Sequence, residues 1–219
     1  MDLATRRRLA RQTLRGYESG LSATDRATAR AMDQTHSAEA VILVEGVSDQ
    51  IAVETLAVRR GQDLGIARIV VMPIGGAHGV TKYLRRYGPS GENLRLAGLC
   101  DTGEEDVFRR GLRQAEVGNP QSRADMQQLG FHVCVDDLEE ELIRAVGPAG
   151  VMAIFEEHGD LSSFTTLQRQ AAWRDQPVAA QLRRFLGAGS RRKLRYARLL
   201  VEAVDFDRVP EPLEAVLAV

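Results

Sequence analysis

Four short apolar runs, each handing over to a helical stretch, constrain this chain more than any other feature. They are AVILV (40–44), ARIVVMPI (67–74), LRLAGLC (94–100) and GFHVCV (130–135). The stretches that follow, 48–60, 77–87, 104–115 and 137–146, read as helices. Such alternation predicts βαβ units and a parallel sheet with helices on both faces and right-handed crossovers. The runs are nearly continuous in apolar residues, so both sheet faces are expected to be buried. The fold class is therefore α/β, a Rossmann-like central parallel sheet of about four strands flanked by helices.

Helical patterns flank this unit. Residues 1–35 are polar and helical in spacing, with a break expected at Gly20 and an N-cap at Ser22 or Thr24. Beyond residue 147 no strand pattern appears, and Gly147, Pro148 and Gly150 mark a boundary. Helices are expected at 162–173, opened by capping serines, at 177–187 and at 190–204, the last basic and amphipathic; VPEPLEAVLAV closes the chain. The expected division is an N-terminal helical segment (1–38), the α/β domain (39–146) and a helical extension (147–219) packed on it.

Composition narrows the class. With 219 residues and 44% hydrophobic content, one sizeable core is affordable. Cys100 and Cys134 each end an apolar run without zinc-type spacing, which predicts reduced, buried thiols. No run approaches ~18 apolar residues, and the Arg-rich start lacks a following apolar segment, so a cytoplasmic, non-membrane protein is expected. A net charge of -1 rules out a global positive field, so any polyanion must meet local clusters. One lies at Arg6, Arg7, Arg8, Arg11, Arg15, Arg26 and Arg30. Another holds Arg183, Arg184, Arg191, Arg192, Lys193, Arg195 and Arg198. Aromatics are 5% of the chain with no interleaved pattern, which argues against a stacking platform for single strands.

In open α/β sheets, sites form beyond the carboxyl ends of the strands. There the sequence places Glu45, Gly46 and Asp49; Gly75, Gly76 and His78; Asp101, Gly103, Glu104, Glu105 and Asp106; and Asp136, Asp137, Glu139, Glu140 and Glu141. Carboxylates gathered on one edge repel unless a cation neutralises them, and hard oxygen donors suit Mg²⁺ or Mn²⁺. Each acidic cluster also reads as an N-cap with an acidic first turn facing the helix dipole. The glycines of PIGGAHG predict positive φ or close backbone approach; His78 either touches a phosphate or serves the turn. His36, His132 and His158 have no ligand spacing.

VILVEGVSD, IGGAHGVTKYL and LAGLCDTGEED, in this order, resemble the Toprim domain, in the version found in nucleases of the overcoming-lysogenization-defect (OLD) family. The resemblance covers 40–146 and continues into the tail. Its Glu-Gly-x-x-Glu/Asp motif falls on Glu45, Gly46 and Asp49, its glycine motif on Gly75 and Gly76, and a later Asp-Leu-Glu on Asp137, Leu138 and Glu139. Its Asp-x-Asp motif matches at Asp101 but meets Gly103 at the second position, where Glu104 or Glu105 stands in or the second metal site is weakened. The resemblance implies a metal-dependent endonuclease or nickase acting on nucleic acid, DNA before RNA. Catalysis would rest on Glu45, Asp101 and Lys193, with metal at Glu45, Asp49, Asp101, Glu104, Glu105, Asp137 and Glu139. Phosphate or nucleic acid would meet Gly75, Gly76, His78, Arg191, Arg192 and Lys193; for Lys193 a solvated basic face is the plain alternative. These 219 residues leave no room for the ATPase of full-length family members and hold no Walker A motif, so a stand-alone Toprim protein is expected, with an ATPase on a separate chain and a homodimer left open. Two other readings stand beside this: a degenerate module binding nucleic acid or nucleotide, and another nucleotidyl transferase or hydrolase.

Overall fold

The structure is a computed structural model. It describes residues 2, 4, 5, 8, 12–17 and 22–219; Gly20, Arg6, Arg7 and Arg11 lie outside them. Strands β1 (Ala40–Val44), β2 (Ile69–Pro73), β3 (Arg95–Asp101) and β4 (Phe131–Cys134) form one parallel sheet in the order β2-β1-β3-β4. Ala40 stands opposite Ile69 on one side and Arg95 on the other. The strand read at 67–74 is shorter because Arg68 takes a left-handed φ of 57°, turning the chain into β2.

Both faces of the sheet are covered. Ile42 and Val44 point into a core with Ala52, Val53 and Leu56 of helix α2 (Val47–Arg59). Val41 and Leu43 point the other way, to helices α3 (Val80–Tyr87) and α4 (Glu105–Gln114) through Val80, Leu84, Phe108 and Leu112. Ala31 of helix α1 (Ala23–Gln34) joins this second core. A period-2 strand buried on both sides needs an apolar residue at every position, which is what AVILV supplies. Cys100 and Cys134 are free and buried, as expected. A short helix the apolar spacing did not announce, α5 (Arg123–Gln128), is set by a local signal: Ser122 and Asp125 form a capping box.

The C-terminal helices complete the first core. Helix α6 (Leu138–Glu157) breaks at Gly147, whose φ is 78°, with Pro148 opening its second half. Next come α7 (Leu161–Gln168), α8 (Val178–Gly187), α9 (Ser190–Ala203) and α10 (Glu211–Ala215). The serines expected to cap α7 lie inside it, and Asp160 holds the N-cap position instead. Phe155, Phe164, Phe185 and Tyr196 join α6, α7, α8 and α9 in one aromatic cluster, with centroids 4.9–5.4 Å apart. Leu194 and Ala197 of α9 pack on Val47 and Ile51 of α2, so the two helices begin beside each other. Among the described residues no helix is long and apolar enough to cross a membrane.

Candidate functional site

The strand order fixes where the site must lie. From β1 the chain crosses to β2 on one side, while β3 sits on the other, so the connections diverge between the carboxyl ends of β1 and β3. That switch point is the natural crevice of an open α/β sheet. Glu45 follows β1 and Asp101 ends β3, and the Asp101 backbone N–H donates to Glu45 Oε1 at 3.0 Å. The glycine loop hangs on the same edge: Gly76 N–H donates to the Glu45 carbonyl at 3.0 Å. Gly75 and Gly76 have φ of 75° and 101°, which a side chain would resist. His78, in the turn that follows, is exposed.

Asp49 enters from the first turn of α2. Its Oδ2 accepts the Gly46 N–H at 2.9 Å, so it caps the helix as it faces the cluster. Glu139 arrives from the first turn of α6, and Lys193 from the start of α9, its Nζ 3.0 Å from Glu139 Oε1. That oxygen is shielded from solvent and accepts no directed hydrogen bond. Two of the other expected ligands are engaged elsewhere. Asp137 caps α6 by accepting Glu140 N–H at 2.8 Å, and its Oδ2 takes Arg183 Nη2 at 2.6 Å. Glu105 is turned to Arg123, 2.7 Å away; the ion pair, not the sheet edge, decides its direction. Glu104, half-buried one residue earlier, stays near enough for its charge to act on Glu45.

The electrostatics follow from that crowding. Burial, then the charges of Glu45 and Asp49, push the Asp101 carboxyl up to about 8. Burial, then the Glu139 charge, raises Asp49 to about 7, against the pull of Lys193 and the Gly46 hydrogen bond. Glu45 is raised too, chiefly by burial. Burial works downward on Lys193, but Glu139 and Asp49 outweigh it and its pKa rises. These carboxyls bind protons more tightly folded than unfolded. Their stabilisation is therefore present at low pH and lost as pH rises through about 7 and about 8. His132 and His158, lowered by burial, act oppositely but have finished titrating by then. Without divalent cations, Tm is expected to fall between about pH 6.5, where the histidines have finished, and about pH 8 and to level off above it, with Asp101→Asn making the fall shallower. A wild-type Tm that holds or rises would contradict this crowding.

The basic cluster divides. Arg195 was expected at a polyanion surface, but it is buried, paired with Asp160, because its side of α9 faces the aromatic core. Arg192 turns back to cap α8, donating to the Phe185 carbonyl at 3.1 Å with its guanidinium over the Phe185 ring. Arg198 faces the other way, to Glu202 and the Thr13 carbonyl. Arg191 is exposed at the start of α9, near Lys193. Arg183 and Arg184 are exposed along α8.

Among the described residues, no three His, Cys, Asp or Glu side chains close on one point at metal-binding distance. The residues present still fit a hard divalent cation: all donors are carboxylate oxygens, one is shielded without a directed hydrogen bond, and the raised pKa values mark negative charge a cation would relieve.

Residues 38–93 match the family model described as the TOPRIM domain of overcoming lysogenization defect protein-like proteins. Solved structures agree over more of the chain. The C-terminal region of the Xanthomonas campestris pv. campestris OLD protein superposes with a TM-score of 0.62 at 26% identity, covering 84% of this chain and 93% of that one. The C-terminal region of the Burkholderia pseudomallei OLD protein gives 0.60 at 23% identity, covering 83% and 96%. No curated protein sequence gives a significant match.

Proposed function

The chain carries an OLD-like Toprim domain, and from that premise we propose that it is a divalent-metal-dependent nuclease that nicks or cuts phosphodiester bonds in nucleic acid, DNA before RNA. The observation carrying this reading is the meeting of Glu45 and Asp101 at the sheet's switch point, with Lys193 and Glu139 facing them. Glu45 and Asp101 would hold Mg²⁺ or Mn²⁺, with Asp49, Glu104 and Glu139 as further donors, and the ion would supply Lewis acidity and an activated water. Lys193 would leave Glu139 to meet negative charge developing on the phosphoryl oxygens. The backbone at Gly75 and Gly76 would let a phosphate approach without a Cβ in the way, and Arg191 would add positive charge from the start of α9, near Lys193. The test is supercoiled plasmid with Mg²⁺, Mn²⁺ or EDTA, beside Glu45→Gln and Asp101→Asn. Metal-dependent nicking unaffected by both substitutions would sink the assignment.

Gly103 favours a second reading, a module with a weakened metal site that binds nucleic acid beside a separate ATPase. A Cβ built at Gly103 meets nothing within 4 Å, and its backbone is outside the left-handed region. Gly103→Asp therefore fits, and is expected to tighten Mn²⁺ binding about tenfold by calorimetry, since charge count tunes such sites. Unchanged affinity would mean that position 103 does not face the ion.

A further inference from the structure

Beside the carboxylates lies a cleft of about 660 Å³, of which the nuclease reading uses only the wall formed by Glu139 and Lys193. Asp137 and Glu140, both paired with Arg183, form another, and Trp173 and Arg184 stand across from them. Trp173 is the chain's sole tryptophan. It sits half-exposed in the turns between α7 and α8, with the Arg184 guanidinium 5.9 Å from its ring centroid.

The segment carrying the ring is held firmly. The Trp173 carbonyl accepts the Gln181 side-chain amide at 2.7 Å. Gln181 is buried, and its own carbonyl oxygen accepts Gln168 Nε2 at 2.8 Å. A relay of amides thus ties the turn to α7 and α8 through its backbone, leaving the ring to face the cleft. A flat aromatic surface, a guanidinium above it and a second exposed cation, Lys193, within one cleft match the parts of a nucleotide: a base to stack and a phosphate to neutralise. The cleft is of the size that takes small-molecule ligands.

We propose that Trp173 and Arg184 form a subsite that stacks one unpaired base of the substrate next to the cleaved phosphate. The preferred substrate is then single-stranded, or duplex opened at the cut. This rests on the nucleic-acid reading above and runs against the expectation from the linear sequence, whose few aromatics argue against a stacking platform. The subsite binds without cleaving, so its test needs neither metal nor turnover.

Because Trp173 is the sole tryptophan, its emission reports on this position alone. Glu45→Gln protein in EDTA is titrated with unlabelled oligothymidylate, and binding is followed in parallel by anisotropy of an end-labelled copy. Saturation is expected to quench the emission, and a duplex of equal length to quench it far less. Trp173→Ala is expected to weaken oligothymidylate binding about tenfold, with Trp173→Phe recovering much of the loss. Either variant keeps the backbone bond to Gln181, so an unchanged Tm would show the fold intact. Binding by anisotropy without quenching, or equal affinity in Trp173→Ala, would overturn the subsite and leave the nuclease reading standing. Absence of both oligonucleotide binding and plasmid nicking would overturn the nuclease reading and the subsite with it.

Discussion

Glu45→Gln and Asp101→Asn are each expected to reduce plasmid nicking by about a hundredfold or more, and at the same time to raise the Tm of the metal-free protein above pH 7. The pairing of these outcomes separates the proposed site from a damaged fold. Glutamine keeps the oxygen that accepts the Asp101 N–H, so the bond between the two strand ends survives. Alanine would orphan that N–H at a cost of about 1–3 kcal/mol. What the amide removes is charge. Glu45 is among the charges holding Asp101 at about 8, so its neutralisation relieves the cluster and lets Asp101 ionise at lower pH. A variant that loses activity and also loses stability would point to a structural role for Glu45. One that keeps activity would refute its role as a ligand.

The sheet and its edge were legible in the sequence because they rest on local patterns. Unbroken apolar runs mark strands buried on both faces, and the residue after each run lands at the carboxyl edge whatever the strand order. Glu45 and Asp101 could therefore be named from position alone, while Glu139 was one of five acidic candidates after the fourth run and stood out only through the Asp-Leu-Glu resemblance. Three-dimensional pairings could not be named in this way. Glu105 and Glu104 look equivalent in DTGEED, yet Arg123, eighteen positions on, turns Glu105 away. Lys193, Arg192 and Arg195 lie within one turn of α9, and rotation about the helix sends the first to the site, the second to a helix end and the third into the core. Asp160 was within reach of sequence reasoning, since GDLSSF offers a cap before the serines, but its partner was not. Trp173 gave no signal because its role depends on two helices folding back beside α6.

Asp160→Ala is expected to be the most destabilising of the substitutions considered, by about 3–5 kcal/mol in denaturant unfolding. Asp160 is 2% exposed, and its Oδ2 accepts from both Arg195 and Tyr196, the latter at 2.8 Å. Removing the carboxylate takes the counter-charge of Asp160 from a buried guanidinium that lies 4.8 Å from the Tyr196 ring centroid. The cost is that of an uncompensated buried charge rather than the worth of the ion pair. Replacing both partners together, Asp160→Leu with Arg195→Met, is accordingly expected to recover most of the stability. The pair also bears on the site. It pins the middle of α9 to the start of α7, and Lys193 lies half a turn before Arg195 on the same helix. In the recovered double variant, activity tells what the ion pair does beyond stability. Wild-type nicking would mean that hydrophobic packing alone aims Lys193. A stable but slow enzyme would mean that the buried charge pair sets the rotation of α9, and with it the distance between the lysine and the phosphoryl group.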